Sequence, residues 1–382
     1  MILQKDQTGS TRSNKSPIYS IFPLIFFFIL CFNFSVAFAK DTTVSIMSYN
    51  VENLFDATDD GAKQMDPAYL PLSIKKKWKT DQCATKVGFY HEMCVKLDWT
   101  PQKYEDKLKK IAQVLLDYEN GGADIIVLQE LENRRVLTDL WQKHLMWKGY
   151  KKPIHFESPS SRGIDVGMMS RFSLAETPKV HGVSLGEGER PTRDVIEATF
   201  QVRKNFKLRV TANHWPSQAN STQMRLRAAS VVKNLARQAI RDRVPFIATG
   251  DFNTLLEETP NPIQGNIADN FVQNKARPLV DIQDYIGLAG QFPGGSHFYR
   301  GAWDMLDRFL ASKDLFNRYS KFRIDLRSYE IFAPRYLLID EYLADPKTGK
   351  IRLFTFPQRY DFFTGEGYSD HLPVVMKLTI QN

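Results

Sequence analysis

Cysteine is scarce in this chain, with three residues in 382. Only Cys83 and Cys94 lie beyond residue 39, and neither has the CxxC or His-rich neighbourhood that a tetrahedral zinc site needs. Cys31 lacks the preceding small residues of a lipoprotein signal. Internal repeats and Gly/Ser linkers are also missing, which leaves residues 40–382 to be read as one domain.

The chain does start with an export pattern. Lys5, Arg12 and Lys15 give a positive opening, Ile21 to Phe34 is apolar, and Ala37-Phe38-Ala39 puts small residues at the positions a signal peptidase reads. Residues 1–39 are therefore expected to be a signal peptide cleaved before Lys40, giving a secreted or periplasmic protein. An uncleaved anchor over Ile18–Ala39 is the alternative, weakened by Pro23, Asn33 and Ser35. Removing three Lys/Arg and Asp6 lowers the formal charge from +8 to +6. That balance favours an anionic partner such as nucleic acid or an acidic lipid surface, against the plainer reading of a solvated basic face. Disulfides persist in an oxidising compartment. Cys83 and Cys94 are expected to pair and close a short loop, with two free thiols as the alternative.

Val44, Ile46 and Met47 lead as a strand into Ser48-Tyr49-Asn50. Residues 56–100 read as an insertion holding Pro67, Pro71, the basic run Lys75–Lys79 and both cysteines. Leu108, Ile111, Ala112 and Leu115 have helical spacing over 102–119, and Gly121-Gly122 stops that helix. Ala123–Leu128 is almost wholly apolar, as in a strand buried on both faces. Further strands are expected at Asp165–Met169, Asp194–Val202, Phe206–Asn213, Val244–Ala248, Met305–Ala311 and Leu372–Ile380, with a helix at Thr222–Ile240. The order implies an α/β protein with much antiparallel sheet. Segments 255–300 (Gly/Pro-rich) and 318–365 (irregular, aromatic) read as further insertions, and with 56–100 they are the expected substrate-contacting surfaces.

Five polar motifs stand beside these strands. Asn50 and Glu130 each end an apolar run, and amide and carboxylate oxygens suit a hard cation such as Mg²⁺, with Mn²⁺ or Ca²⁺ as alternatives. Taken singly, Asn50 also fits a turn and Glu130 a surface acid. His214, in Asn213-His214-Trp215-Pro216-Ser217, can donate to a phosphoryl oxygen or be a satisfied loop histidine. In Gly250-Asp251-Phe252-Asn253-Thr254, alternation puts Asp251 and Asn253 on one side if the strand continues, where they can orient one water and one phosphoryl oxygen. An Asp/Asn turn is the competing reading. Asp370-His371 sets an acid beside a proton carrier, and Asp307 is an orienter for that imidazole or a salt-bridge partner.

Ser48-Tyr49-Asn50, Leu128-Gln129-Glu130, Asn213-His214, Gly250-Asp251-Phe252-Asn253, Leu306-Asp307 and Ser369-Asp370-His371 together resemble the endonuclease/exonuclease/phosphatase superfamily, of the deoxyribonuclease I-like type. The resemblance runs from Val44 to the end, interrupted by insertions. It implies a four-layer α/β sandwich of two packed mixed sheets flanked by helices. It also implies that Asn50, Glu130 and Asp370 hold the metal, that Asp251 and Asn253 orient water and phosphoryl oxygens, and that His214 and the Asp307-oriented His371 are the catalytic imidazoles. Arg193 resembles the arginine preceding a core strand in the deoxyribonuclease branch, with Arg190 as competitor, and Asp165 lies near that branch's acid partner for the first histidine.

The leading expectation is a secreted, monomeric metal-dependent phosphodiesterase, an endonuclease acting on DNA. The alternative is a phosphatase or phospholipid phosphodiesterase of inositol phosphate or sphingomyelin type. A catalytically idle binding protein on the same scaffold is remote, since no expected acid or imidazole is missing.

Overall fold

Strand alternation decides the layering. In the opening strand, Thr42–Leu54, Val44 and Ile46 enter one apolar cluster while Met47, Tyr49 and Val51 enter another. Ile125–Leu131 divides in the same way, with Ile125 and Val127 opposed to Ile126 and Leu128. In Phe246–Asp251, Ile247 joins the cluster of Val44 and Ile46, whereas Phe246 and Ala248 join a third. Strands with two covered faces need near-continuous apolar runs, which is why these segments lack a polar alternation. Three apolar layers separate four layers of structure: helix, sheet, sheet, helix.

The computed structural model describes residues 41–61, 65–78, 83–84, 86–269, 277–287 and 292–382. The expected signal peptide and Lys79 of the basic run lie outside the described residues. One sheet has six strands in the order Phe322–Ile331, Val374–Ile380, Thr42–Leu54, Ile125–Leu131, Asp165–Ser170, Ile154–His155. The other runs Ala268–Asp269, Leu279–Asp281, Asp307–Ser312, Phe246–Asp251, Phe206–His214, Val195–Arg203, Ser173–Leu174, with Lys179–His181 also paired to Val195–Arg203. Both sheets are mixed, as the four-layer α/β sandwich requires. Thr42–Leu54 pairs parallel to Ile125–Leu131, and Phe206–His214 pairs parallel to Phe246–Asp251.

Helices close the outer faces. Pro101–Asp117 has Pro at its start, and the Thr100 side chain accepts from Lys103 N at 3.3 Å. It buries Leu108, Ile111, Ala112 and Leu115, the residues whose spacing marked it in the sequence. On the far side, Thr222–Asp242 packs Ala228, Ala229, Val232, Ala236 and Ala239 onto the second sheet, and small side chains let it approach closely.

Segment 318–365 departs from expectation. It is not irregular: Phe322–Ile331 forms the edge strand of the six-stranded sheet, and Leu338–Ala344 pairs with Ile351–Pro357 as a hairpin. The edge strand is only half covered, and its register shifts between Asp325 and Glu330, so no clean period of two survives in the sequence. Segment 56–100 holds short helices, including Leu72–Trp78 and Gly88–Lys96, and Cys83 and Cys94 form a disulfide. Both cysteines are buried beside Met93, Leu97 and Trp99. A cross-link closing so short a loop should stabilise the fold by roughly 2–3 kcal/mol. A Cys83→Ser/Cys94→Ser variant is thus expected to unfold at lower urea concentration than the parent. Coincident unfolding curves would show that the cross-link contributes nothing.

Candidate active site

Register brings the polar strand ends together. Asn50 lies opposite Gln129, so Glu130 follows one residue on at the same edge of the first sheet. On the second sheet His214 lies opposite Asp251, and Asp251 lies opposite Asp307 on its other side. His371 directly precedes the final strand, where Ser369 Oγ donates to Asn50 O (2.7 Å) and accepts from His371 N (3.1 Å). The parallel pairing needs glycine at 250: its φ is +141°, and a Cβ there would lie 2.0 Å from Asn213 O.

Asp251 Oδ2 is the meeting point. It accepts from Asn50 Nδ2 at 3.2 Å and lies 3.5 Å from His214 Nε2 and 3.9 Å from His371 Nε2. Asp251 is almost wholly buried, and burial pushes its pKa up to about 6, helped by Asp307 and opposed by His371. The two imidazoles are driven apart. Burial lowers His214 well below the usual histidine range, reinforced by Arg193, Arg162 and His371. Burial also disfavours charge on His371, but Asp307, Asp251 and Asp370 outweigh it and hold the ring well above that range. Asp307 is fully buried, and its Oδ2 lies 2.7 Å from His371 Nδ1. The two environments thus favour the neutral form of His214 and the charged form of His371, a division suited to acid–base work.

Asn50 and Glu130 provide an oxygen donor set. Glu130 Oε2 accepts from Asn53 N (2.9 Å) and Arg162 (3.3 Å), while Oε1 faces His214 Nε2 at 3.9 Å. Glu130 also holds a left-handed backbone, φ +65°, as do Glu52, Asn53 and Asn253. Such strain in non-glycine residues concentrates at functional sites. One amide oxygen and one carboxylate suit a hard divalent cation such as Mg²⁺. Asp370 stands further out, with Oδ2 3.3 Å from Arg359 and Oδ1 4.0 Å from His371 Nε2. It forms a possible ligand group with His371 and His297, their donor atoms lying within 4.8 Å of one another.

Arg193 is half-buried and donates to Trp215 O at 2.6 Å; desolvation, then Arg162, lowers its pKa to about 10. Arg190 is exposed. Two expectations need correction. Asp165 does not pair with His214: its Oδ1 accepts from Ser158 N (3.1 Å) and its Oδ2 lies 3.2 Å from His155 Nε2. The short strand Ile154–His155 lies beside Asp165–Ser170 and delivers a nearer imidazole. Asp251 and Asn253 do converge, but not by strand alternation. The strand ends at Asp251, and Asn253 N donates back to Asp251 Oδ1 (2.9 Å) in a side-chain-closed turn. Asn253 Nδ2 then donates to Trp215 O at 3.2 Å.

Sequence reasoning missed Glu52, Asn53, Arg162 and His297. Glu52 Oε2 accepts from Tyr360 N (3.0 Å) and Asp370 N (3.1 Å), and its Oε1 is paired with Arg359. Glu52 and Asn53 directly follow the Asn50 motif, and that adjacency was the available signal. The His297 ring lies 4.7 Å from the His371 ring, tilted by 39°, with Nδ1 3.6 Å from Asp304 Oδ2; nothing local marks it.

The layering and this centre define a four-layer α/β phosphoesterase. The chain matches the model of the endonuclease/exonuclease/phosphatase family over residues 91–380, and it belongs to that family. Members are phosphoric ester hydrolases that depend on a divalent metal. A family protein from Bacteroides thetaiotaomicron shares the fold with a TM-score of 0.50 at 16% identity, over 90% of this chain and 100% of that one. Humanized TDP2 from D. rerio gives 0.49 at 17% identity, over 88% and 98% of the two chains. A mannosyl-6-phosphatase from B. thetaiotaomicron gives 0.48 at 15%, over 88% and 99%. No curated protein matches the sequence.

Two changes probe the site. Asp307→Asn leaves the burial cost on His371 but removes its nearest carboxylate, so the ring's pKa is expected to fall; an NMR titration showing it unmoved would refute the pairing. Gly250→Ala should destabilise the protein by about 1–3 kcal/mol or more through overpacking against Asn213, read from urea unfolding.

Proposed function

We propose that this protein is an exported, divalent-metal-dependent nuclease that hydrolyses phosphodiester bonds, with DNA its leading substrate. The supporting observation is the placement of Arg162 and Arg193 at the edge of the oxygen-lined centre around Asp251. Among the described residues, Arg193's only hydrogen-bond partner is a backbone carbonyl, so a half-buried guanidinium is left to receive an anion. The positive net charge favours a polyanion over a small neutral substrate. The disulfide suits an oxidising compartment and supports the export reading.

Asn50 and Glu130, with Asp370 assisting, would hold a divalent cation, which when bound would supply Lewis-acid stabilisation of charge on a phosphoryl oxygen. Asp251, its pKa raised to about 6, takes the proton from the attacking water, and Asn253 helps orient that water. As water bonds to phosphorus and the ester P–O bond breaks, His371, whose charge Asp307 favours, donates its Nε2 proton to the leaving oxygen. His214, kept neutral, offers a hydrogen bond without competing for the proton. Arg193 grips a non-bridging oxygen.

A second reading, a phospholipid phosphodiesterase, draws on the hairpin Leu338–Ala344/Ile351–Pro357. It exposes Tyr342, Ile351 and Leu353, which are 73%, 67% and 52% accessible.

The test gives the mature protein plasmid and denatured DNA, RNA, sphingomyelin vesicles and an inositol polyphosphate, with Mg²⁺ or EDTA. DNA cleavage is expected, abolished by EDTA and reduced roughly 10²–10³-fold or more in Glu130→Ala. Cleaved lipid with intact DNA would reverse the ranking of the two readings. Arg193→Lys keeps the charge but loses the fork, and kcat/KM on DNA should fall about ten-fold or more; parent-like kinetics would remove Arg193 from the mechanism.

A further inference from the structure

Beside the catalytic centre lies a cleft of about 730 Å³. Arg162 is its link to the chemistry, since it lines the cleft and also donates to Glu130 Oε2 at 3.3 Å. One wall comes from the 56–100 insertion, through Met65 and Tyr90, and Tyr90 sits inside the loop that the Cys83–Cys94 disulfide closes. The lining also includes Arg190-Pro191-Thr192-Arg193 and Pro216, two residues beyond His214. The lining therefore carries three guanidiniums against one acid, Glu189, and adds an aromatic ring that is 39% accessible.

That combination matches one nucleotide unit. Guanidiniums suit phosphate, and an accessible ring beside apolar side chains suits the face of a base. The volume is in the range of pockets that enclose one compact ligand, roughly 300–1,000 Å³. A base that is paired and stacked in duplex cannot enter such a pocket without first leaving the stack, at a cost of a few kcal/mol. An already single-stranded residue avoids most of that cost. A sugar or inositol phosphate would use the arginines but leave the apolar wall without a partner.

We propose that this cleft is the subsite for the nucleotide adjoining the scissile phosphate, with Tyr90 stacking on its base and Arg190 holding the neighbouring phosphate. The substrate class is then single-stranded nucleic acid, including frayed or tailed ends, in preference to continuous duplex. This inference rests on the nuclease reading and specifies its substrate.

The experiment compares one DNA sequence as a single strand, as a duplex with a single-stranded tail and as a closed circular duplex, alongside bis(4-nitrophenyl) phosphate, all with Mg²⁺. The single strand and the tail are expected to be cleaved at least ten-fold faster than the closed duplex. Tyr90→Ala should lower kcat/KM for the single strand, chiefly through KM, by roughly ten-fold more than for the small diester, and Tyr90→Phe should restore it. Arg190→Gln, at an exposed position, should raise KM for the single strand and flatten its salt dependence. Equal rates on single strand and closed duplex would overturn the proposal, as would a Tyr90→Ala loss of equal size on both substrates. Hydrolysis of the small diester with every nucleic acid left intact would instead overturn the nuclease reading itself.

Discussion

One carboxylate oxygen organises the site: Asp251 Oδ2, placed among an amide and two imidazoles from both sheets. Asn50 and His371 come from the six-stranded sheet or its approach, and His214 and Asp307 from the other. None of these groups has a reason to be buried on its own, since burial is costly for a carboxylate or imidazole without partners. They are tolerated because each one's cost is offset by another. Asp307 makes the charge on His371 affordable, and His371 in turn opposes the rise that burial imposes on Asp251. The electrostatics of the centre therefore depend on two sheets packing face to face with their strands ending at the same level.

Behind this centre a second set of buried charges ties the loops to the scaffold. Glu52 joins the opening strand to the backbone of Tyr360 and Asp370, and Lys107 donates from the helix Pro101–Asp117 to Glu52 O while lying over the rings of Tyr360 and Phe362. Burial lowers Lys107 from the usual lysine range, and burial with the nearby Asp370 raises Glu52 above the usual carboxylate range. Breaking one partner would leave the other buried and uncompensated, which is strongly destabilising. Groups fixed before the substrate arrives need no reorganisation during the reaction.

Much of this was legible in the sequence, for identifiable reasons. Apolar runs ending in Asn50, Glu130, His214 and Asp251 marked strand ends, because a strand covered on both faces cannot hide its length. The helical spacing of Leu108, Ile111, Ala112 and Leu115 survived because that helix buries one face only. What failed depended on lateral neighbours. Asp165 was set against His214 because nothing in the chain announces that the two-residue strand Ile154–His155 supplies a nearer ring. The strand Phe322–Ile331 was lost to its half-exposed edge position, and Arg162 and His297 to roles that exist only once distant loops meet. Asn253 reaches its place by the Asp/Asn turn that competed with alternation in the sequence, at φ +47°.

The same division separates chemistry from recognition. Groups that must be placed within tenths of an ångström stand on or beside strand ends, where ladder hydrogen bonds set their position on two sides. Groups that would meet the body of a substrate, including Tyr90, Arg162 and Arg190, stand on loops and on an insertion stapled by its own disulfide. Loops on a rigid scaffold can change length and composition without disturbing the strands beneath them. The motifs that reveal the reaction class are consequently silent about the substrate, and selectivity must be read from the walls of the cleft rather than from its floor.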